Sequence, residues 1–270
     1  MSRYKRELSV LAAYALLLLA MGVVRPDFFR RQFVDTLVSA VPALVVGVGM
    51  TWVIVARQID ISVGSQLSAA AVVAALAAKA GWPVPVAALA AIACGAACGM
   101  ANGLLVAAMR LPAIVVTLAT MVVLRESVAW AREGAAVQDL PPGFQWAGLT
   151  QAGGEWLLLV AAAVVFAVAA WAARSLVAGR APYAVGSDAE AARLAGVRPV
   201  RVVFWTFVLT GALAGLAAAL EAVRQPQVAT NLGLGLELKV IAAVVVGGTA
   251  VTGGRGTMAG TLAGVLLLSA

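Results

Sequence analysis

The side chains best able to do chemistry in this chain sit where an apolar run is interrupted. Residues 49–64 read GMTWVIVARQIDISVG, and Arg57, Gln58 and Asp60 break a stretch otherwise suited to hydrocarbon. An ionised side chain at bilayer depth costs roughly 2.5–3.5 kcal/mol on insertion scales, and irregular backbone persists there only when buried in protein or facing a water-filled cavity. The break is therefore either a turn between helices at the membrane surface or a polar interruption beside a path. Ser62, Ser65, Asn102, Thr117 and Thr120 add donors and acceptors inside apolar runs. Such groups can line a polar path, although Ser and Thr in apolar helices also bond their own backbone or a neighbouring helix. Asp60 likewise has two uses, contact with solute or a salt bridge to Arg57 that pins the junction. Arg125 and Glu126, adjacent in sequence, read as an interfacial, self-neutralising pair.

A second interruption spans residues 247–256, GGTAVTGGRG, with Thr249 and Thr252. Its glycines suggest a phosphate cradle only superficially, because the strand, loop and helix that make such loops meaningful are missing. It reads instead as a break that splits a membrane helix into halves. The pieces 240–248 and 257–270 are each short for a span, as expected of re-entrant or discontinuous elements near a pathway. A third feature lies in the segment 183–197. There Ser187 is a suitable N-cap with Glu190 three residues on, a capping box. A short helix over 189–195 should follow, ended by Gly196 and stopped by Pro199.

The elements that must position these groups are membrane helices. The 270 residues are 63% hydrophobic and 11% charged, with a mean hydropathy of +1.00, against roughly 45–50% apolar and about 25% charged in a soluble domain. Apolar runs at 8–24, 37–56, 62–78, 84–109, 113–130, 156–173 and 202–223 approach the length needed to cross a hydrocarbon core. The expectation is an all-α polytopic protein of about 8–10 transmembrane or half-membrane helices, one membrane domain over 1–270 with a long charged loop at 174–201. No stretch remains for a soluble module, so an energy-coupling domain must come from a partner.

The net charge of +7 does not point to nucleic acid, because the basic residues fall between apolar runs and read as topology signals. If the basic start is cytoplasmic, six crossings return the chain to the cytoplasm at 174–201, which holds five arginines. Arg25, Arg30 and Arg31 would then lie outside, against the positive-inside bias. Phe28 and Phe29 beside them suit an interface. The run 8–24 lacks a small-residue cleavage pattern and reads as a retained anchor rather than a signal peptide. Cys94 and Cys98 stand four apart in an Ala/Gly-rich run and read as small packing residues. With no histidine in the chain, no metal, cofactor or catalytic residue is expected.

Four stretches carry a family resemblance: GMTWVIVARQIDISVGS at 49–65, LPAIVVTLATMVVLRE at 111–126, AVGSDAEAARLAGVRPVRV at 184–202 and LELKVIAAVVVGGTAVTGGRGTMAGTLAG at 236–264. In order and over nearly the whole chain they resemble the ribose-type monosaccharide permeases of ATP-binding cassette importers, a family that also includes arabinose, xylose, galactose, rhamnose and autoinducer-2 permeases. QIDISVGSQ and the loop QDLPPGFQW at 138–146 lean toward the rhamnose and autoinducer-2 branch. The resemblance implies a multi-pass subunit of the bacterial inner membrane that works with a second permease subunit, a cytosolic ATPase and a periplasmic sugar-binding protein. By position, Gly186, Asp188, Glu190, Ala191, Ala192 and Gly196 match the coupling helix that docks on the ATPase. The breaks at 57–65 and 247–256 match elements lining the translocation path. The family continues beyond the point matching Ala270, so a shortened member or an incomplete sequence is expected. ATP hydrolysis would belong to the partner, and the chain has no G-x-x-x-x-G-K-[ST] loop. An ion-driven secondary transporter also uses broken helices and intramembrane charges and is the alternative. A membrane-embedded enzyme has the least support, with few groups for acid-base chemistry.

Overall fold

Alanine, valine, leucine and glycine dominate the apolar runs, and in a helix their backbone groups are satisfied without water. A computed structural model describes residues 3–24 and 32–270, and these are helical almost throughout. The order is α1 (Arg3–Val24), α2 (Phe33–Val55), α3 (Val63–Lys79), α4 (Val84–Gly103) with a π-helical continuation (Leu104–Ala108), and α5 (Ala113–Ala131). A 3₁₀ turn (Gln145–Gly148), α6 (Gln151–Ser175), α7 (Val177–Ser187), α8 (Ala189–Leu194), α9 (Pro199–Ala222), α10 (Leu236–Val246) and α11 (Met258–Ser269) follow. Five helices, α2, α4 with its π continuation, α5, α6 and α9, are long and apolar enough to cross a membrane. Shorter apolar helices are the 8–24 part of α1, α3 and α11. The expected link through Arg25, Phe28, Phe29, Arg30 and Arg31 lies outside the described residues.

Helix α2 is the axis of the bundle. Its most apolar window is 89% buried, against 11% for α5 and 17% for α6, so α2 meets protein on every side while α5 and α6 present apolar faces outward. Close packing around it relies on small residues, since lipid gives helices no hydrophobic reason to associate. Gly95 and Gly99 of α4 press against the carbonyls of Gly211 and Phe207 on α9, and Gly215 of α9 presses against the carbonyl of Ala91. A β-carbon at any of the three would collide with backbone that cannot move aside. Cys94 and Cys98 lie on the same helix as half-buried free thiols.

The bundle has two distinct ends. At one, Lys79 reaches Gln138 and Asp139, Val137 pairs with Val228, and Trp146 donates to the carbonyl of Val223 at 2.7 Å. At the other, the end of α2 meets α7 and the turn between α10 and α11.

Three expectations need correction here. The 247–256 segment does not separate collinear half-helices: Gly247 packs on Gly260 and Ala243 on Gly264, so α10 and α11 run antiparallel and the glycines form a hairpin tip. Gly248, Gly253 and Gly254 there have φ of 101°, 83° and 72°, values that let the chain reverse within a few residues. The charged loop holds two helices rather than one, because α7 occupies 177–187 with Pro182 inside it. Pro199 begins α9 at its first turn, where its missing N–H costs nothing, instead of only stopping α8.

Candidate functional site

The break after α2 gathers buried polar groups from three helices. Asp60 accepts from the Ser62 backbone N–H at 2.9 Å and from Ser62 Oγ at 2.5 Å, and Gln66 Nε2 reaches its other oxygen at 3.2 Å. Gln66 also donates to Ser62 Oγ at 2.7 Å, as does Asn102 Nδ2 of α4 at 2.9 Å. Thr120 of α5 donates to Asn102 Oδ1 at 2.6 Å. Thr117 bonds its own helix at Ala113 and reaches the Ile59 carbonyl at 3.3 Å. Asp60, Ser62, Gln66, Asn102 and Thr117 are buried. Buried polar groups that satisfy one another fix a local geometry, so this network ties the start of α3 to α4 and α5. Gln58 is half-buried beside it and makes no bond to it among the described residues.

The expected Arg57 to Asp60 salt bridge is not what holds the junction. Arg57 points away from Asp60, with Nε donating to the Gly186 carbonyl at 2.6 Å and Nη2 to the Ser187 carbonyl at 2.7 Å. These are the free carbonyls at the end of α7, an orientation that places a cation at a helix C-terminus. Trp52 Nε1 donates to the Gly179 carbonyl at 3.0 Å, about two turns earlier on the same α7. The Gly254 N–H donates to the Val55 carbonyl at 2.9 Å, Gly186 packs against that same carbonyl, and Gly253 packs against the Arg57 stem. Three breaks thus meet at one point: the end of α2, the end of α7 and the tip of the α10–α11 hairpin.

A second charged contact lies deeper. Arg125 pairs with Glu237 of α10 at 3.5 Å, with the Glu237 side chain 7% exposed, so it is not paired off with its neighbour Glu126 as the sequence suggested. The Glu237 carboxylate packs on Gly64, and Gly233 packs on the Gly64 carbonyl. Ser68 Oγ accepts from the Gly233 N–H at 2.9 Å. Ser65 Oγ, Gln66 Oε1 and Glu237 Oε2 are buried without a hydrogen-bond partner among the described residues, as is Thr249 Oγ1 at the hairpin tip. Thr252 is exposed and joins none of these groups. Orphaned polar atoms inside a membrane bundle are costly; three belong to the start of α3 and the start of α10, while Arg132 Nε, Arg224 Nε and Ser269 Oγ are orphaned elsewhere.

Beyond the junction, α8 is an exposed helix of six residues. Its cap is Asp188, one residue later than expected, because Ser187 still belongs to α7. Asp188 Oδ1 accepts from the Glu190 N–H at 2.9 Å and the Ala191 N–H at 3.0 Å. The Ala191 N–H first, then that of Glu190, hold the Asp188 carboxyl below its ordinary range, with the Arg57 charge adding. The expected reach of Glu190 back to a Ser187 cap is replaced by a bond to Arg193 at 2.6 Å; that guanidinium lowers the Glu190 pKa. Gly196 ends the helix with φ of 86°. Asp188, Glu190, Ala191 and Gly196 are exposed, whereas Gly186 and Ala192 face the bundle.

Sequence reasoning missed Gln66 and Glu237. Gln66 had a usable signal, a polar side chain four residues from Ser62 on one helical face. Glu237 had none, because its partner Arg125 is distant in sequence.

Comparison with known proteins follows the same outline. The model of a family described as branched-chain amino acid transport system / permease component matches residues 32–270. The "Autoinducer 2 import system permease protein LsrC" of Salmonella typhi is 34% identical over 271 residues, covering 98% of this chain and 76% of that protein. The protein of the same name from Photorhabdus luminescens is 32% identical over 271 residues, covering 98% and 80%. That from an Enterobacter species is 34% identical over 265 residues, covering 98% and 77%. No solved structure matches the chain. With its long apolar helices it is a multi-pass membrane protein, a transporter subunit rather than an enzyme, and it belongs to the branched-chain amino acid transport system / permease component family.

Proposed function

We propose that this chain is the permease of an ATP-binding cassette importer in a bacterial inner membrane and that it carries a monosaccharide-like solute of the autoinducer-2 type. The observation that carries this reading is the three-way junction at Arg57. An exposed, capped helix α8 stands beyond it, and the end of α7 is bonded to the end of α2 and thereby to the α10–α11 tip. A cytosolic ATPase gripping α8 through Glu190, Ala191, Arg193 and Gly196 would move both breaks together. Gly186 and Ala192 serve the joint rather than the grip, since they face the bundle.

The solute path runs past the orphaned groups of α3 and α10. Ser65, Gln66 and Glu237 offer acceptors to a hydroxylated solute, and Arg125 a donor, while Asp60, Ser62, Asn102, Thr117 and Thr120 hold the wall in place. Weak, distributed hydrogen bonding suits a neutral polyol that must also leave. A second permease subunit, identical or related, completes the path, and a periplasmic binding protein delivers solute and sets much of the choice. The family description favours a second solute reading, a branched-chain amino acid, whose zwitterion would engage the Arg125–Glu237 pair.

Reconstitution into proteoliposomes with a cognate ATPase and binding protein from the same organism tests the reading. ATP-dependent uptake of labelled autoinducer-2, competed by monosaccharides and not by leucine, is expected. Uptake driven by an ion gradient through this chain alone would overturn the importer assignment, and competition by leucine would overturn the solute.

A further inference from the structure

A cleft of about 800 Å³ opens between α6, α7 and α11, beside the Arg57 joint and lined by none of the Asp60 network among the described residues. Much of its wall is apolar, with Phe166, Ala170 and Ala173 from α6 and Met258 and Ala259 from α11, and Tyr183 of α7 and Thr257 add two hydroxyls. Arg174, at the end of α6, and Arg180, on α7, close one side. Both guanidiniums are exposed, and neither forms an ion pair among the described residues. Among the described residues no carboxylate lines the cleft. The next residue to its lining Gly256 is Arg255, also exposed. The volume is within the roughly 300–1,000 Å³ typical of small-molecule sites.

We propose that this cleft binds an anionic phospholipid, its phosphate between Arg174 and Arg180 and an acyl chain along Phe166, Ala170, Ala173 and Met258. The arginines sit where α6 ends and α11 begins, at the end of the bundle, while the apolar wall climbs along the helices. That is the vertical order of a lipid, headgroup outside and chain inside. A free phosphate would satisfy the two guanidiniums but leave the apolar wall bare, and an apolar helix would leave two unpaired charges against it. Basic pockets between membrane helices at the cytoplasmic side suit anionic headgroups, each arginine adding substantially to affinity.

Native mass spectrometry and thermal melting of the purified full chain with defined lipids decide it. Phosphatidylglycerol should bind and raise the melting temperature, phosphatidylcholine should not, and glycerol phosphate without chains should not. The double variant Arg174→Gln/Arg180→Gln should weaken phosphatidylglycerol binding by about tenfold or more. The charge-matched control Arg198→Gln/Arg201→Gln, on the same end but outside the cleft, should bind as the parent does. Equal binding by both double variants, equal binding of phosphatidylcholine, or saturation by glycerol phosphate alone would each overturn the proposal. Should the double variant be poorly folded, Arg174→Gln and Arg180→Gln alone carry the same test, each expected to lose part of the preference for the anionic lipid.

Discussion

Arg57 and Gly186, 129 residues apart in the chain, are joined by a hydrogen bond of 2.6 Å from the guanidinium Nε to the glycine carbonyl. Arg57 makes this bond from a left-handed backbone, φ 63°, a conformation that disfavours any residue with a β-carbon. Gly186 in turn packs so closely on the Val55 carbonyl that no side chain fits. Strain on one side and a missing side chain on the other are both accepted at a single contact, which marks it as a designed joint rather than an incidental surface bond.

Replacing Arg57 separates its two roles. Arg57→Gly relieves the positive φ and should be more stable than Arg57→Ala by about 1 kcal/mol, measured by thermal melting in detergent. Both should insert normally and still bind the ATPase, yet lose coupled uptake by about tenfold or more. The expected signature is continued ATP hydrolysis that binding protein and solute no longer stimulate. Uptake at the parent level in both variants would remove the joint.

Asp60 accepts three hydrogen bonds inside the bundle, and we propose that it pins the junction, so its neutral replacement should cost stability. Asp60→Asn exchanges one acceptor for a donor and sets it against Ser62 or Gln66, both already donating toward that carboxylate. A loss of about 1–3 kcal/mol is expected, read as a lower melting temperature and a smaller yield of folded protein. A variant that kept parental stability while losing transport would make Asp60 a solute contact instead.

The Asp188 cap should give α8 a pH dependence. Its carboxyl is held below its ordinary range by the N–H groups it accepts, so its contribution is complete above the unfolded-state pKa and is lost as pH falls through the lower folded value. The protection of residues 189–195 against hydrogen exchange, corrected for the intrinsic rate at each pH, should therefore fall on acidification below about pH 4. Asp188→Ser, which caps without titrating, should abolish that change, and persistence of the change in this variant would assign it elsewhere.

Glu190 is bonded to Arg193 in the open, where such pairs contribute little to stability. Glu190→Ala should leave the melting temperature unchanged, so any loss of uptake would come from contact with a partner. ATPase co-purification should drop several-fold while the permease itself remains folded. Unaltered co-purification and uptake would take Glu190 out of the docking surface.

Much of the architecture was legible in the sequence because hydrocarbon leaves few options. An apolar chain in a membrane must satisfy its backbone internally, so the long runs had to be helices, and the charges at 57–60 marked a place where they break, whereas Arg125 and Glu126 stay inside an unbroken α5. The short helix α8 was readable because caps and glycine stops act within a few residues. Tertiary structure alone decided which groups meet. Arg57 and Asp60 are three residues apart and oppositely charged, yet local proximity lost to packing, which turned Arg57 toward the carbonyls of α7 and enclosed Asp60 among Ser62 and Gln66. The same holds for Arg125, which bypasses Glu126 for Glu237, and for the glycine segment, whose antiparallel hairpin depends on Gly247 lying against Gly260. Helix existence follows from solvent and propensity within a segment; helix partners follow from shape and from which buried polar groups can satisfy one another, and those are properties of segments far apart in the chain.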